Sequence, residues 1–201
     1  MRNWILAATL SLVAATLPAA HAEAADPAVQ QVQTFYDVLL DTMKHAKELG
    51  IKGRYEKLKP VIERTFDLPG MARLSVGPSW NTMTPQEQQA LTAALERMTV
   101  ANYASNFNGY DGEKFVVDPT ATVRGSYRVV MSKLITGSET ISFNYRMRET
   151  DGSWKILDIF LMGFVSQMAK QRSDFGSTVQ SGGAAALEKK INALADKLMK
   201  E

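Results

Sequence analysis

The chain has 201 residues, 45% of them hydrophobic, and 23 Lys and Arg against 21 Asp and Glu give a formal net charge of +2. Acids and bases are mixed along the chain, so nucleic acid, which would call for a basic patch or stripe, is excluded as a partner. Cysteine is absent and histidine occurs only twice, which excludes thiol nucleophiles, disulfides and the usual zinc clusters on inventory alone.

Residues 1–22 read as a cleaved secretory signal. Arg2 supplies a positive charge, Trp4 to Leu17 form an uncharged apolar run, and Ala20-His21-Ala22 is a small-x-small cleavage tripeptide, with Ala22-Glu23-Ala24 as the alternative. A membrane anchor needs about 20 apolar residues and this run is shorter. Residues 23–201 are then expected to form a single domain with a sizeable core. Without the cysteine that a lipoprotein anchor requires, the exported chain is expected to diffuse freely in the periplasm.

Asp26-Pro27 looks like an N-cap followed by proline at the first helical position. The apolar residues Val29, Val32, Tyr36, Leu39, Met43 and Ala46 then recur every three or four positions, predicting an amphipathic helix that ends near Gly50. Residues 53–66 read as a second helix interrupted at Pro60. Residues 67–80, with Pro69, Gly70, Gly77 and Pro78, read as a connector with one short helical turn. Thr84-Pro85-Gln86-Glu87 has the order of a capping box and opens a long helix over 85–106.

Beyond Gly109 and Gly112 the hydrophobic period changes from 3.6 to 2. A strand over 113–124, kinked at Pro119, precedes strands over 126–135, 139–149 and 154–162. Short turns join the last three into an antiparallel meander. After Gly163 the helical period returns through Phe164, Met168, Phe175 and Val179, and Gly182-Gly183 separates a last helix bearing Leu187, Ile191, Leu194 and Leu198. Helices, then strands, then helices predict an α+β domain.

Once the signal is removed, His45 is the remaining histidine, on the polar side of the first helix. No HExxH, GxSxG, P-loop or dinucleotide fingerprint occurs. Simple alternation puts Asp158 on the strand face of Trp154, Ile156, Phe160 and Met162, where a carboxylate needs a partner. Arg172, on the stripe of the following helix, is the expected one. A buried ion pair fixing helix against sheet is the reading, with a polar contact at a pocket mouth or a general base as alternatives. Trp80, Trp154, Phe115, Phe143, Phe160, Phe164 and the methionines pack a core or line a cavity, and the sequence does not separate the two.

Several segments taken together resemble one family. They are the signal and first helix, Phe66-Asp67-Leu68-Pro69, the stretch from Trp80 to Leu91, Trp154-Lys155-Ile156-Leu157-Asp158-Ile159, Gly163 with Ser166, Arg172-Ser173-Asp174-Phe175, and Gly182-Gly183. In order and spacing they are similar to the MlaC/toluene-tolerance family of periplasmic lipid-binding transport proteins. Residues 73–80 and Tyr110-Asp111-Gly112-Glu113 are most similar to its hopanoid-associated HpnM branch. The resemblance implies a four-stranded twisted antiparallel sheet, NTF2-like, wrapped by N- and C-terminal helices around an apolar cavity. It further implies a phospholipid or hopanoid ligand, with an inner-membrane lipid transport complex and an outer-membrane lipoprotein complex as partners, and no cofactor or metal.

Pocket walls in such a family are apolar surfaces without a signature. The candidates here are Leu74, Trp80, Phe107, Val129, Met131, Phe143, Tyr145, Ile159, Leu161, Phe164 and Met168, with Asp158 and Arg172 as the structural ion pair or mouth polar groups. Several members carry an acidic residue before the glycine matched by Gly163, whereas this chain has Met162. Three function classes stand: a lipid carrier, an NTF2-like enzyme acting on a hydrophobic small molecule, and a periplasmic interaction module with a filled core.

Overall fold

A computed structural model describes residues 26–200, so the signal expected over residues 1–22 lies outside the described residues. Helix α1 (Pro27–Lys44) starts where the Asp26 carboxylate accepts the Ala28 N–H at 2.9 Å. Its apolar stripe is buried as the periodicity requires, with Phe35 added to it. Helix α2 (Ala46–Thr65) follows almost at once and breaks at Gly50, where φ is 58°. The interruption expected at Pro60 does not occur. Pro60 and Glu56 are both exposed, so the carbonyl that loses its partner can bond water.

The expected connector is mostly helix: α3 (Leu68–Val76) is followed by a 3-10 turn over Gly77–Thr82. Pro69 and Gly70 read as breakers but occupy the first turn of α3. There proline is tolerated, and the Gly70 N–H donates to the Asp67 cap at 3.1 Å. Helix α4 (Pro85–Asn106) carries the complete Thr84–Glu87 capping box.

The sheet has six strands, correcting the expected four. The stretch kinked at Pro119 is two strands, β1 (Lys114–Val117) and β2 (Thr122–Arg124), both paired antiparallel with β3 (Tyr127–Ile135). The meander continues through β4 (Thr140–Thr150) and β5 (Ser153–Leu161), and a two-residue β6 (Val165–Ser166) pairs with the end of β5. Spatial order is β1-β3-β4-β5-β6, with β2 beside β3.

One irregularity changes which residues face inward. Met147 pairs with Ile156 but Arg146 pairs with Asp158, so Leu157 is an extra residue, a β-bulge. Beyond it the alternation inverts. Ile159 and Leu161 pair with Tyr145 and Phe143 on the inner face, while Asp158 and Phe160 move to the outer face, opposite to their expected side.

Helix α1 crosses the inner face, and α3, α4 and α5 (Gln167–Leu198) pack against one another beyond it. Helix α5 is bent at Gly183, with φ 66° and ψ −160°, so the Gly182-Gly183 break falls where expected but two helical halves remain joined around it. Among the described residues no helix is long and apolar enough to cross a membrane. Side chains rarely adopt the Gly183 conformation. Gly183→Ala is expected to cost about 1–3 kcal/mol, read as a lowered midpoint in equilibrium urea unfolding.

Candidate functional site

Between the inner sheet face and the helices lies a cavity of about 780 Å³. Its floor is built from buried residues of three elements: Tyr36 and Leu39 of α1, Met71 of α3, and Tyr145 of β4, continued by Phe143, Ile159 and Leu161. Phe115, Met98, Tyr103, Phe107, Met168 and Phe175 form the walls. The rim is polar. Asn102 and Asn106 of α4 face Gln167, Gln171 and Asp174 from the first half of α5 and Lys197 from its second, so the mouth opens between α4 and the bent α5. The Gln171 side-chain oxygen is buried without a hydrogen-bond partner among the described residues.

Of the residues singled out in the sequence, Phe107, Phe143, Tyr145, Ile159, Leu161 and Met168 border this cavity. Leu74, Trp80, Val129, Met131 and Phe164 do not. Trp80 is buried in the core beside α4, where its carbonyl accepts from Gln88 at 2.9 Å, and Leu74 packs half-buried against that core. Val130 is fully buried on the inner face, so alternation sends its neighbours Val129 and Met131 to the outer face. Phe164 is 75% exposed in the turn between β5 and β6, next to Met162 with its φ of 54°. The sequence reading missed Met71, one turn before Leu74, and Tyr103, one turn before Phe107 and stacked on it at 5.6 Å. The i, i+4 aromatic spacing was the available signal for Tyr103.

The expected Asp158–Arg172 pair is not formed. The Asp158 carboxylate is buried and accepts from Ser166 Oγ at 2.7 Å, from its neighbour Ile159 N–H at 2.8 Å and from Met168 N–H at 3.2 Å, with Arg146 at 3.6 Å. Ser166 is the N-cap of α5, so this carboxylate meets the positive end of that helix. Arg172 is exposed one turn further along, its methylenes packed over Gly77. The cation beside Asp158 is Arg146 of β4 in place of the expected Arg172, because the bulge turns the carboxylate away from the apolar stripe of α5.

Deep in the cavity the polar atoms form a chain of hydroxyls. Tyr36 Oη lies 2.7 Å from Ser132 Oγ and 2.8 Å from Tyr145 Oη, and Ser132 donates to the Phe143 carbonyl at 2.7 Å. Phe115 stacks on Tyr36 at 4.3 Å, and Phe35 and Phe66 pack edge-on against the Tyr103 ring. Burial pushes Tyr36 up to about 12 and raises Tyr103 and Tyr145 above the usual tyrosine value as well. Among the described residues, no group of three His, Cys, Asp or Glu is placed to hold a metal ion.

Two outcomes are expected. Asp158→Asn, which weakens the acceptor at the start of α5, should lower stability by about 1–3 kcal/mol in urea unfolding. The buried tyrosines give an alkaline limit. An unfolded chain releases their protons near pH ~10 while the folded one retains them, so stability is intact below about pH 10 and falls as pH rises toward 12. Urea midpoints measured from pH ~9 to pH ~11 should decline, and less steeply in Tyr36→Phe.

Residues 33–193 match the sequence profile of the family described as MlaC protein. The fold superimposes, with a TM-score of 0.75, on the structure of a phospholipid-binding protein from Ralstonia solanacearum in complex with a phospholipid. That alignment covers 87% of this chain and all of the other at 20% identity, a likeness of fold. No curated protein matches the sequence. With a profile match extending from α1 into the second half of α5, the chain belongs to the MlaC family.

Proposed function

We propose that this protein is a periplasmic lipid carrier, holding the acyl or polycyclic part of a phospholipid or hopanoid in the cavity with the polar headgroup at the α4–α5 mouth. The observation that carries this reading is the cavity itself: about 780 Å³, walled by aromatic, aliphatic and methionine side chains, with its polar side chains gathered mainly at the rim. That volume lies within the range of small-molecule sites, about 300–1,000 Å³. The phospholipid in the Ralstonia solanacearum protein of the same fold supports the ligand class. Residues 1–22 would supply the export signal, leaving residues 23–201 as the carrier domain.

The transfer energetics explain why such a protein works by contact. Each buried methylene is worth ~0.8 kcal/mol, so two acyl chains with about 30 methylenes carry on the order of 24 kcal/mol of gross transfer energy. Release into water is negligible on that scale. Cargo must pass directly to and from membrane-bound partners, which we take to be an inner-membrane transport complex and an outer-membrane lipoprotein complex. No step in this cycle breaks a covalent bond. The general-base alternative also loses its residue, because Asp158 does not border the cavity and its oxygens are committed to α5.

Native mass spectrometry of protein purified from the periplasm, followed by solvent extraction, should show one lipid per chain. An empty protein that also binds no added lipid would remove the carrier reading and leave an interaction module. Phe107→Glu, which puts a charge on the cavity wall, should abolish lipid retention, whereas Met131→Glu on the outer sheet face should retain it; circular dichroism checks that both fold.

A further inference from the structure

Strand pairing sorts charges that the sequence mixes. Alternation from the buried Val130, Ser132 and Leu134 puts Met131, Lys133 and Ile135 on the outer face of the sheet, and the register sets Lys114 and Val116 of β1 beside them. The same register points Arg124, Arg146, Arg148 and Lys155 outward, against Asp158 as the one carboxylate at outer positions of these strands. Asp158 is buried beside Arg146, and Arg148 takes the buried Asp67. Lys114, Arg124, Lys133 and Lys155 have no ion-pair partner among the described residues. Glu113, Asp118, Glu139 and Asp151 lie in the connections beyond the strand ends.

Exposed apolar side chains gather on the same face. Val116, Met131 and Ile135 stand among the lysines, and the β5–β6 turn adds Met162 at 68% and Phe164 at 75% exposure. That turn is held in place: the Met162 N–H donates to Ser142 O at 2.9 Å, the Phe164 N–H to Leu161 O at 3.3 Å, and the outward-facing Asn144 amide to Gly163 O at 3.5 Å. Met162 has a φ of 54°, a conformation that non-glycine residues rarely adopt. Single exposed apolar residues are ordinary, whereas a cluster with two large side chains on a fixed, projecting turn marks a contact surface.

The charges select the occupant. A second copy meeting this face about a two-fold axis would set its lysines against their own equivalents. An anionic bilayer supplies phosphates to the cations and an apolar layer to the turn.

We propose that the outer sheet face docks on anionic membrane surfaces, with Met162 and Phe164 entering the interface and Lys114 and Lys133 meeting lipid phosphates. None of these residues borders the cavity, so docking and carriage are separable and this surface stands whatever the cavity holds.

Flotation of the purified mature chain with two kinds of vesicle tests it: phosphatidylcholine alone, and phosphatidylcholine with phosphatidylglycerol. Binding should be about tenfold stronger to the second kind and should fall as salt is added. Phe164→Ser and Lys133→Glu should each lower that binding by about tenfold, with circular dichroism showing that they fold and native mass spectrometry showing cavity lipid unchanged. No binding, equal binding to the two vesicles, or undiminished binding by both folded variants overturns the proposal. So does a dimer in analytical ultracentrifugation that Phe164→Ser dissociates, which would give the face to a second copy. In each of these cases the carrier reading survives, since its own measure is the lipid extracted from the protein. The wild-type comparison of the two vesicles decides by itself should a variant not fold.

Discussion

The Asp158 carboxylate, buried where β5 meets α5, is the contact on which the arrangement of cavity and mouth depends. It accepts from Ser166, which caps α5, and from the Met168 N–H in the first turn of that helix. One otherwise unpaired helical N–H and the capping hydroxyl are therefore oriented by one strand residue. Met168, Gln167 and Gln171 follow directly and border the cavity. The bend at Gly183 then returns the chain so that Lys197 and Leu198 close the far side of the same opening. A second buried carboxylate, Asp67, ties the start of α3 to Arg148 of β4 and to the Gly70 N–H. Both struts use charge-assisted hydrogen bonds, which hold direction as well as distance.

An apolar cavity of this size is a standing cost, since its lining forgoes dispersion contacts that a filled core would make. The aromatic residues offset part of this by packing on one another around it, from Phe35 and Phe66 through Tyr103 to Phe107 and Phe115. The hydroxyl chain serves the same floor. It satisfies two buried tyrosines and a serine and fastens α1 to β3 and β4 through Tyr36.

Much of the secondary structure was legible because local chemistry writes it. The Asp26 and Thr84 caps, the stripe of α1, the alternation of β4 and the paired glycines near 183 all act within a few residues. The departures are those where a local signal meets a tertiary circumstance. Pro60 stays within a helix because it faces solvent; Pro69 and Gly70 begin a helix because Asp67 caps it. The segment around Pro119 is two strands because both halves found β3 as a partner. Trp80 and Phe164, equally aromatic, went to opposite fates, one into the core and one to 75% exposure, because composition carries no information about which side of a chain reversal a residue occupies.

By itself the sequence determined an α+β chain without the inventory for thiol or zinc-cluster chemistry, and a set of apolar residues sufficient for either a core or a cavity. Only the tertiary structure decided between those two, since whether facing residues touch or stand apart depends on how far α4 and α5 are held from the sheet. It also decided which face Asp158 occupies. One inserted residue, Leu157, inverts the period-two pattern beyond it, bringing Ile159 and Leu161 to the cavity and sending the carboxylate to its helix. A bulge is a property of the pairing between two strands, and a single strand's sequence does not contain its partner's register.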